Sequence, residues 1–181
     1  DLVIGTTRDE SRIFNMLNPA LNNLDQTQAM EVLRTNHPQR AEAIWSLYSN
    51  CYPDYTPTQI VAAVDTDTNF KLHMWNLLKS RPAELTNTWS YMFTWASPLY
   101  DGALGASHGM DIPFIFNNTS LPRVHIYTSD DSTNGVLGAE MSRDLLNLGL
   151  KGDPNWQPYD QTKRAIKIFN MPSSIAQSHE Q

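Results

Sequence analysis

The chain has 181 residues, of which 40% are hydrophobic and 18% charged, a composition typical of a globular domain with a sizeable core. Thirteen basic against nineteen acidic residues give a net charge of −6, which argues against nucleic acid and anionic membrane surfaces as partners. No apolar run approaches the roughly 18 residues that a membrane-spanning helix needs.

Cys51 is the only cysteine, so an internal disulfide bond is impossible. This is compatible with a reducing compartment and favours a cytoplasmic location. The residue ends an amphipathic segment beside Tyr52 and Pro53, which favours a buried thiol over a nucleophile. The chain begins without an initiator methionine, one residue before a strand pattern, and we therefore expect a fragment or one chain of a cleaved enzyme.

The chain opens on a buried strand that ends in acids. Residues 2–4 are apolar and lead into a polar turn that closes with Asp9 and Glu10. Acids at the C-terminal end of a parallel strand lie where α/β sheets place their chemistry. A short helix is predicted over 11–18 because Pro19 follows.

Four further helices are predicted before the next strand. Capping-box patterns begin at Asp25, Asn36 and Thr56, the last with proline at the first helical position. A fourth helix over 67–81 carries an apolar stripe and ends at Pro82. These stripes predict core packing for most of their residues.

The second half of the chain predicts two more strands around one long helix. An aromatic strand is predicted over 89–95 and an amphipathic helix over 132–148. Lys167 interrupts an otherwise apolar strand over 165–169, and the tail beyond Pro172 is expected to be loose.

The order of elements predicts the fold class. Strand, helices, strand, helix, strand fits the last strands of a doubly wound α/β sheet, although three strands are few for a self-sufficient sheet. No repeat or linker divides the chain, so residues 1–181 are expected to form one unit. Its helical insertion, at about residues 20–82, separates the first strand from the second.

One loop carries a candidate catalytic base. Residues 105–116 read GASHGMDIPFIF and place His108 between small residues, with Asp111 three positions on and an apolar run behind it. Glycines allow sharp turns and close approach of a substrate, while the apolar run anchors the loop to a core.

Two motifs together resemble the C-terminal half of the type B carboxylesterases, the cholinesterase-like branch of the α/β-hydrolases. They are LVIGTTRDE at residues 2–10 and GASHGMDIPFIF at residues 105–116. The resemblance extends to YMFTWASP at residues 91–98 and, more weakly, to residues 152–159 and 164–169, so it spans nearly the whole chain.

The resemblance implies an α/β-hydrolase fold, hydrolysis of carboxylic esters through an acyl-enzyme, and no metal or organic cofactor. It makes Glu10 the triad acid and His108 the triad base, with the serine supplied by an absent N-terminal portion of the same enzyme. The isolated chain is then expected to be inactive. The family has glycine after the acid pair, where this chain has Ser11.

The resemblance also implies that the helical insertion helps to cover the active-site gorge. Met110 and Phe114 flank His108 and are the candidate substrate-binding residues for a small-molecule ester, with core packing as the alternative. Asp9 is the competing candidate for the acid, and Asp111 is expected to anchor the histidine loop.

Other chemistry has weaker support. Residues 105–109 match the pattern G-x-S-x-G at Ser107, but a nucleophile elbow needs a strand-to-helix turn that the surrounding sequence does not predict. His37, His73 and His125 lack an acidic or glycine-rich context, and there is no HExxH motif or cysteine pair for zinc. Two alternatives remain: a small hydrolase that uses Ser107, and a non-catalytic cholinesterase-like interaction domain.

Overall fold

The structure is a computed structural model that describes residues 1–82, 84–128 and 133–177. Within these residues, five α-helices and a π-helical turn separate the first two strands, and three α-helices separate the second strand from the third. The elements in chain order are β1 Leu2–Thr7, α1 Arg12–Leu17, α2 Gln26–Asn36, α3 Ala41–Cys51, α4 Pro57–Thr66, a π-helical turn Asp67–Lys71, α5 Leu72–Ser80, β2 Thr88–Phe93, α6 Ile112–Ile115, α7 His125–Thr128, α8 Thr133–Lys151, β3 Ala165–Phe169 and β4 Ser174–Gln177.

The described strands form one sheet in the order β1-β2-β3-β4. The first three strands are parallel, and β4 is antiparallel to β3. Thr7 lies opposite Phe93 in the β1–β2 register, so the two strands end level with each other. The segments that follow β1 and β2 therefore emerge side by side at one edge of the sheet.

Helices cover both faces of the sheet because the strand side chains alternate between them. On one face, Trp89 and Phe93 of β2 pack with residues of α6 and α8 in the largest core cluster. On the other face, Met92 packs with Met74 and Leu78 of α5. Helices α2, α3 and α4 form a separate cluster of their own.

Two of the three predicted capping boxes are confirmed. Asp25 begins α2 and Thr56 begins α4, each accepting the N3 amide while the N3 glutamine accepts the cap amide. The prediction at Asn36 is wrong, because α2 continues through that residue and α3 begins only after Arg40. The apolar stripe of α2 is long enough to keep the chain helical up to His37.

Two further predictions are corrected. The segment after Pro172 was expected to be loose, but Ser174–Gln177 forms β4, because it can pair with the exposed edge of β3. Cys51 was expected to be buried, but it is exposed as the last residue of α3. The long helix is confirmed as α8, whereas its predicted first residue, Ser132, lies outside the described residues.

Candidate active site

The acid turn follows directly from β1. The Arg8 amide donates to the Phe93 carbonyl at 2.9 Å, which extends the contact between β1 and β2 by one residue. Glu10 then turns back toward the strand, and its Oε1 accepts the Thr7 amide at 2.7 Å. The Glu10 side chain is only 7% exposed, so its carboxylate is held in one orientation by the end of β1.

The histidine loop follows β2 and folds back over the acid turn. Ser97 and Gly105 form an isolated bridge that closes the first part of the loop. Gly105 and Gly109 have φ values of +60° and +75°, a left-handed conformation that favours glycine. These turns bring the His108 amide to the Glu10 carbonyl, at 3.3 Å.

Glu10 and His108 meet through their side chains across 98 positions of sequence. His108 Nδ1 lies 2.7 Å from Glu10 Oε2, and the imidazole is 52% exposed whereas the carboxylate is buried. A carboxylate only accepts hydrogen bonds, so Nδ1 carries the hydrogen. Nε2 is then the ring nitrogen with a lone pair for a proton. The geometry can therefore orient a histidine as a base.

Two phenylalanines flank the imidazole. The ring centroids of Phe14 on α1 and Phe70 in the π-helical turn lie 5.2 and 5.5 Å from that of His108. The two phenyl rings are nearly parallel, at 2°, and 6.4 Å apart. Contact with both rings restricts how far the imidazole can swing. No specific sequence signal marks this pair, because each residue lies in an ordinary predicted helix.

Asp111 anchors the far side of the histidine loop, as expected. Its Oδ2 accepts the Tyr91 hydroxyl at 3.0 Å, which ties the loop to β2. Burial raises the pKa of Asp111, and the charge of Glu10 raises it further, although the Tyr91 hydrogen bond acts in the opposite direction. Burial and the Asp111 carboxylate raise the pKa of Tyr91, so this hydroxyl remains a hydrogen-bond donor.

A cavity of about 520 Å³ opens beside the pair. Its walls come from β1, from the helical segment between β1 and β2, and from the histidine loop. Residues on these walls include Glu10, His108, Ile4, Phe70, His73 and Asp111. His73, which the sequence grouped with ordinary surface histidines, therefore faces the same space as the candidate base.

Met110 and Phe114 are not on these cavity walls. They are 5% and 0% exposed and belong to the core cluster that packs α6 and α8 against the sheet. The structure therefore favours the core-packing alternative over the predicted contact with substrate, because side chains with so little exposed surface are buried in the core and do not line the cavity.

Ser107 is fully buried, and among the described residues its hydroxyl has no hydrogen-bond partner. It lies in the histidine loop, far beyond the end of β2 at Phe93 and before the four-residue helix α6. This is not the strand-to-helix turn of a nucleophile elbow. The position favours an accidental match to the G-x-S-x-G pattern.

In the part of the chain that the structure describes, no group of three His, Cys, Asp or Glu side chains could hold a metal ion. Across the same residues, no helix is both long enough and apolar enough to cross a membrane.

No protein-family model matches the chain. The phenmedipham hydrolase of Pseudarthrobacter oxydans is 29% identical over 118 residues, which are 65% of this chain and 23% of that protein. A carboxylesterase from Geobacillus stearothermophilus matches with a TM-score of 0.80 at 22% identity, covering 96% of this chain and 37% of the other. An esterase from anaerobic Clostridium hathewayi, which can hydrolyze aliphatic aromatic polyesters, matches with a TM-score of 0.66 at 23% identity, covering 96% and 34%.

The chain thus spans between 23% and 37% of the length of these relatives. The two solved structures are less than 25% identical to it, so they bear on the fold, and each matches nearly all of this chain. The predicted fold class is therefore confirmed: this chain has an α/β-hydrolase fold and matches one part of these esterase structures.

Proposed function

We propose that the protein hydrolyses carboxylic esters and that this chain supplies two members of a Ser-Glu-His triad. His108 is the general base and then the general acid, and Glu10 is its orienting partner. The contact of 2.7 Å between His108 Nδ1 and Glu10 Oε2 is the observation that carries the proposal. The esterases and the hydrolase that resemble this chain support the same class of reaction.

In the proposed mechanism, His108 Nε2 accepts and returns the proton. A serine hydroxyl gives its proton to His108 Nε2 while its oxygen bonds to the ester carbon, and the carbonyl oxygen takes up the displaced electron pair. When the ester C–O bond breaks, Nε2 returns the proton to the leaving alkoxide. Water repeats the sequence on the acyl-enzyme. Glu10 remains ionised throughout and stabilises the imidazolium that forms twice.

The serine and the oxyanion hole come from an N-terminal portion of the same enzyme in this proposal. Within the described residues, β1 is paired on one side only, with β2. Parallel sheets are covered on both faces, and an unpaired strand edge presents free N–H and C=O groups with which another strand can pair. A strand of the N-terminal portion at the open edge of β1 would bring its C-terminal end next to the acid turn and the histidine loop.

The test begins with the coding sequence upstream of this chain, which should contain G-x-S-x-G between a strand and a helix. The full-length protein should hydrolyse p-nitrophenyl acetate. Replacing His108 with glutamine should lower kcat by roughly 10³-fold or more. His37→Gln is the matched control, because it removes an imidazole at the end of α2, away from the cavity.

Glu10→Gln tests the orienting role separately. The glutamine oxygen can still accept the Thr7 amide, but its NH₂ would then donate to His108 Nδ1. That contact places the hydrogen on Nε2, which can no longer accept the serine proton. A loss of roughly 10⁴-fold in kcat is expected, with little change in KM.

Two outcomes would reject the proposal. A full-length wild-type protein that folds but hydrolyses no ester would favour a non-catalytic interaction domain. Equal activity in wild type and His108→Gln would show that another residue is the base. The isolated chain, which lacks a serine in this arrangement, should be inactive in the same assay.

A further inference from the structure

We propose that Asp9 is a positioning residue that fixes the histidine loop on the acid turn, so that His108 reaches Glu10. This inference rests on the proposed function and adds a role that Glu10 alone does not fill. Asp9 and Glu10 are neighbours in sequence and have different partners. Counted over the whole residue, each is 5% exposed.

Asp9 holds the loop two residues before His108. Its backbone amide donates to the Ala106 carbonyl at 3.0 Å, and its carboxylate Oδ2 accepts the Ala106 amide at 2.9 Å. The next backbone contact is between the His108 amide and the Glu10 carbonyl, at 3.3 Å. The two acids thus bind alternate residues of one loop, Asp9 at position 106 and Glu10 at position 108.

The carboxylate of Asp9 is also fixed by two cations. Arg8 Nη2 lies 2.8 Å from Oδ2, and Arg12 Nε lies 3.3 Å from Oδ1. Arg12 is itself 8% exposed, so the Asp9–Arg12 pair is buried. A buried charge with several hydrogen-bond partners has one low-energy position, and the Ala106 amide is held there with it.

Gly105 makes this approach possible. A Cβ at position 105 would lie 2.5 Å from Asp9 Oδ2 and 2.9 Å from Arg12 Nη1, closer than real Cβ atoms come. The residue also has a φ of +60°, which disfavours any side chain. The loop can therefore lie against the Asp9 carboxylate only because position 105 has no Cβ.

The consequence is a division of tasks. Glu10 sets the tautomer and orientation of the imidazole, whereas Asp9 sets where the loop that carries it lies. Displacing a reacting group by about 1 Å can cost on the order of 10² in rate. Loss of the Asp9–Ala106 contact should therefore lower kcat without removing any group that touches the substrate.

The experiment compares Asp9→Ala, Asp9→Asn and Gly105→Ala in the full-length protein, with Arg34→Ala as control. Asp9→Ala and Gly105→Ala should each lower kcat by about 10²-fold, with KM within about threefold of wild type. Asp9→Asn should recover kcat to within about tenfold, because its amide oxygen still accepts the Ala106 amide. Arg34→Ala should stay within about threefold, since its ion pair with Glu42 is exposed and neither residue lines the cavity.

A spectroscopic readout separates positioning from general destabilisation. The proton on His108 Nδ1, hydrogen-bonded to Glu10, should give a downfield NMR signal in wild type that weakens in Asp9→Ala and Gly105→Ala and persists in Arg34→Ala. Folded variants that keep both kcat and this signal would overturn the proposal. So would variants that lose kcat while the signal is unchanged.

If neither Asp9→Ala nor Gly105→Ala folds, amide hydrogen exchange in the wild-type protein tests whether Asp9 holds the histidine loop. If the Ala106 amide exchanges as slowly as the amides of β2, the contact between Asp9 and Ala106 is supported. If it exchanges at the rate of a free peptide, the proposal is overturned. The NMR and exchange readouts need no turnover. An inactive wild type would thus reject the proposed function while still testing the role of Asp9.

Discussion

Gly5→Ala should displace the Tyr91 ring, which holds the histidine loop through Asp111. Gly5 lies opposite Tyr91 in the β1–β2 register, and the phenol ring lies across it. An added Cβ would be 2.4, 2.5 and 2.6 Å from three atoms of that ring. Carbon atoms pack at about 3.5–4.0 Å, so the ring must move by roughly 1.1–1.6 Å. This movement would break the 3.0 Å hydrogen bond from Tyr91 to Asp111.

The expected cost combines two effects. Overpacking a buried site costs about 1–3 kcal/mol, and losing a hydrogen bond to a charged group costs about 1.5–3 kcal/mol. Because one movement causes both, a total of roughly 2.5–6 kcal/mol is expected. Gly149→Ala is the control, since nothing lies within 4 Å of its Cβ and alanine favours a helix.

Urea unfolding of the full-length protein measures the change in the free energy of unfolding. Wild type, Gly5→Ala, Tyr91→Ala and the double variant form a double-mutant cycle. In the Tyr91→Ala background, Gly5→Ala should cost less than about 1 kcal/mol, because the ring it collides with is gone. If Gly5→Ala alone lowers the free energy of unfolding by less than about 0.5 kcal/mol, the ring is not confined as described and the argument is wrong.

Three further predictions concern stability. Burial raises the pKa of Asp111, so its contribution to stability is fully present below the unfolded value of 3.8 and is lost as the pH rises through the folded value. Asp111→Asn should therefore unfold at a higher temperature than wild type at pH 7, and the difference should shrink toward pH 4. Asp25→Ala should cost about 1 kcal/mol in urea unfolding by removing the cap of α2, and wild-type stability would refute that role. Phe93→Ala should cost about 3–5 kcal/mol, because Phe93 is fully buried against Phe114, and a loss below about 1 kcal/mol would contradict this packing.

Local patterns in the sequence predicted the elements well. The boxes at Asp25 and Thr56 mark helix starts because both partners lie within one turn. The box at Asn36 failed because Asn36 is the last residue of α2, and α3 begins only at Ala41. β4 was missed because its pairing depends on the edge of β3, which is a tertiary feature.

Only part of the candidate site was predictable, because some of its contacts also depend on tertiary packing. Glu10 and His108 lie in recognisable motifs, and their contact follows from neighbouring strands that end level. The contacts of Phe14 and Phe70 with the imidazole depend on how α1 and the π-helical turn pack, which no spacing in the sequence specifies. Met110 was assigned to the substrate pocket by proximity in sequence, although the loop turns that side chain into the core.

The parallel pairing of β1 and β2 also bears on which parts of the chain can vary. Helices α2, α3 and α4 lie between these two strands in the sequence, and they bury apolar residues in a cluster of their own. Helix α4 is tied to the acid turn, because the Thr66 hydroxyl accepts the Ser11 amide at 3.0 Å. Changes confined to α2 and α3 would therefore leave the ends of β1 and β2, and with them the contact between Glu10 and His108, in place.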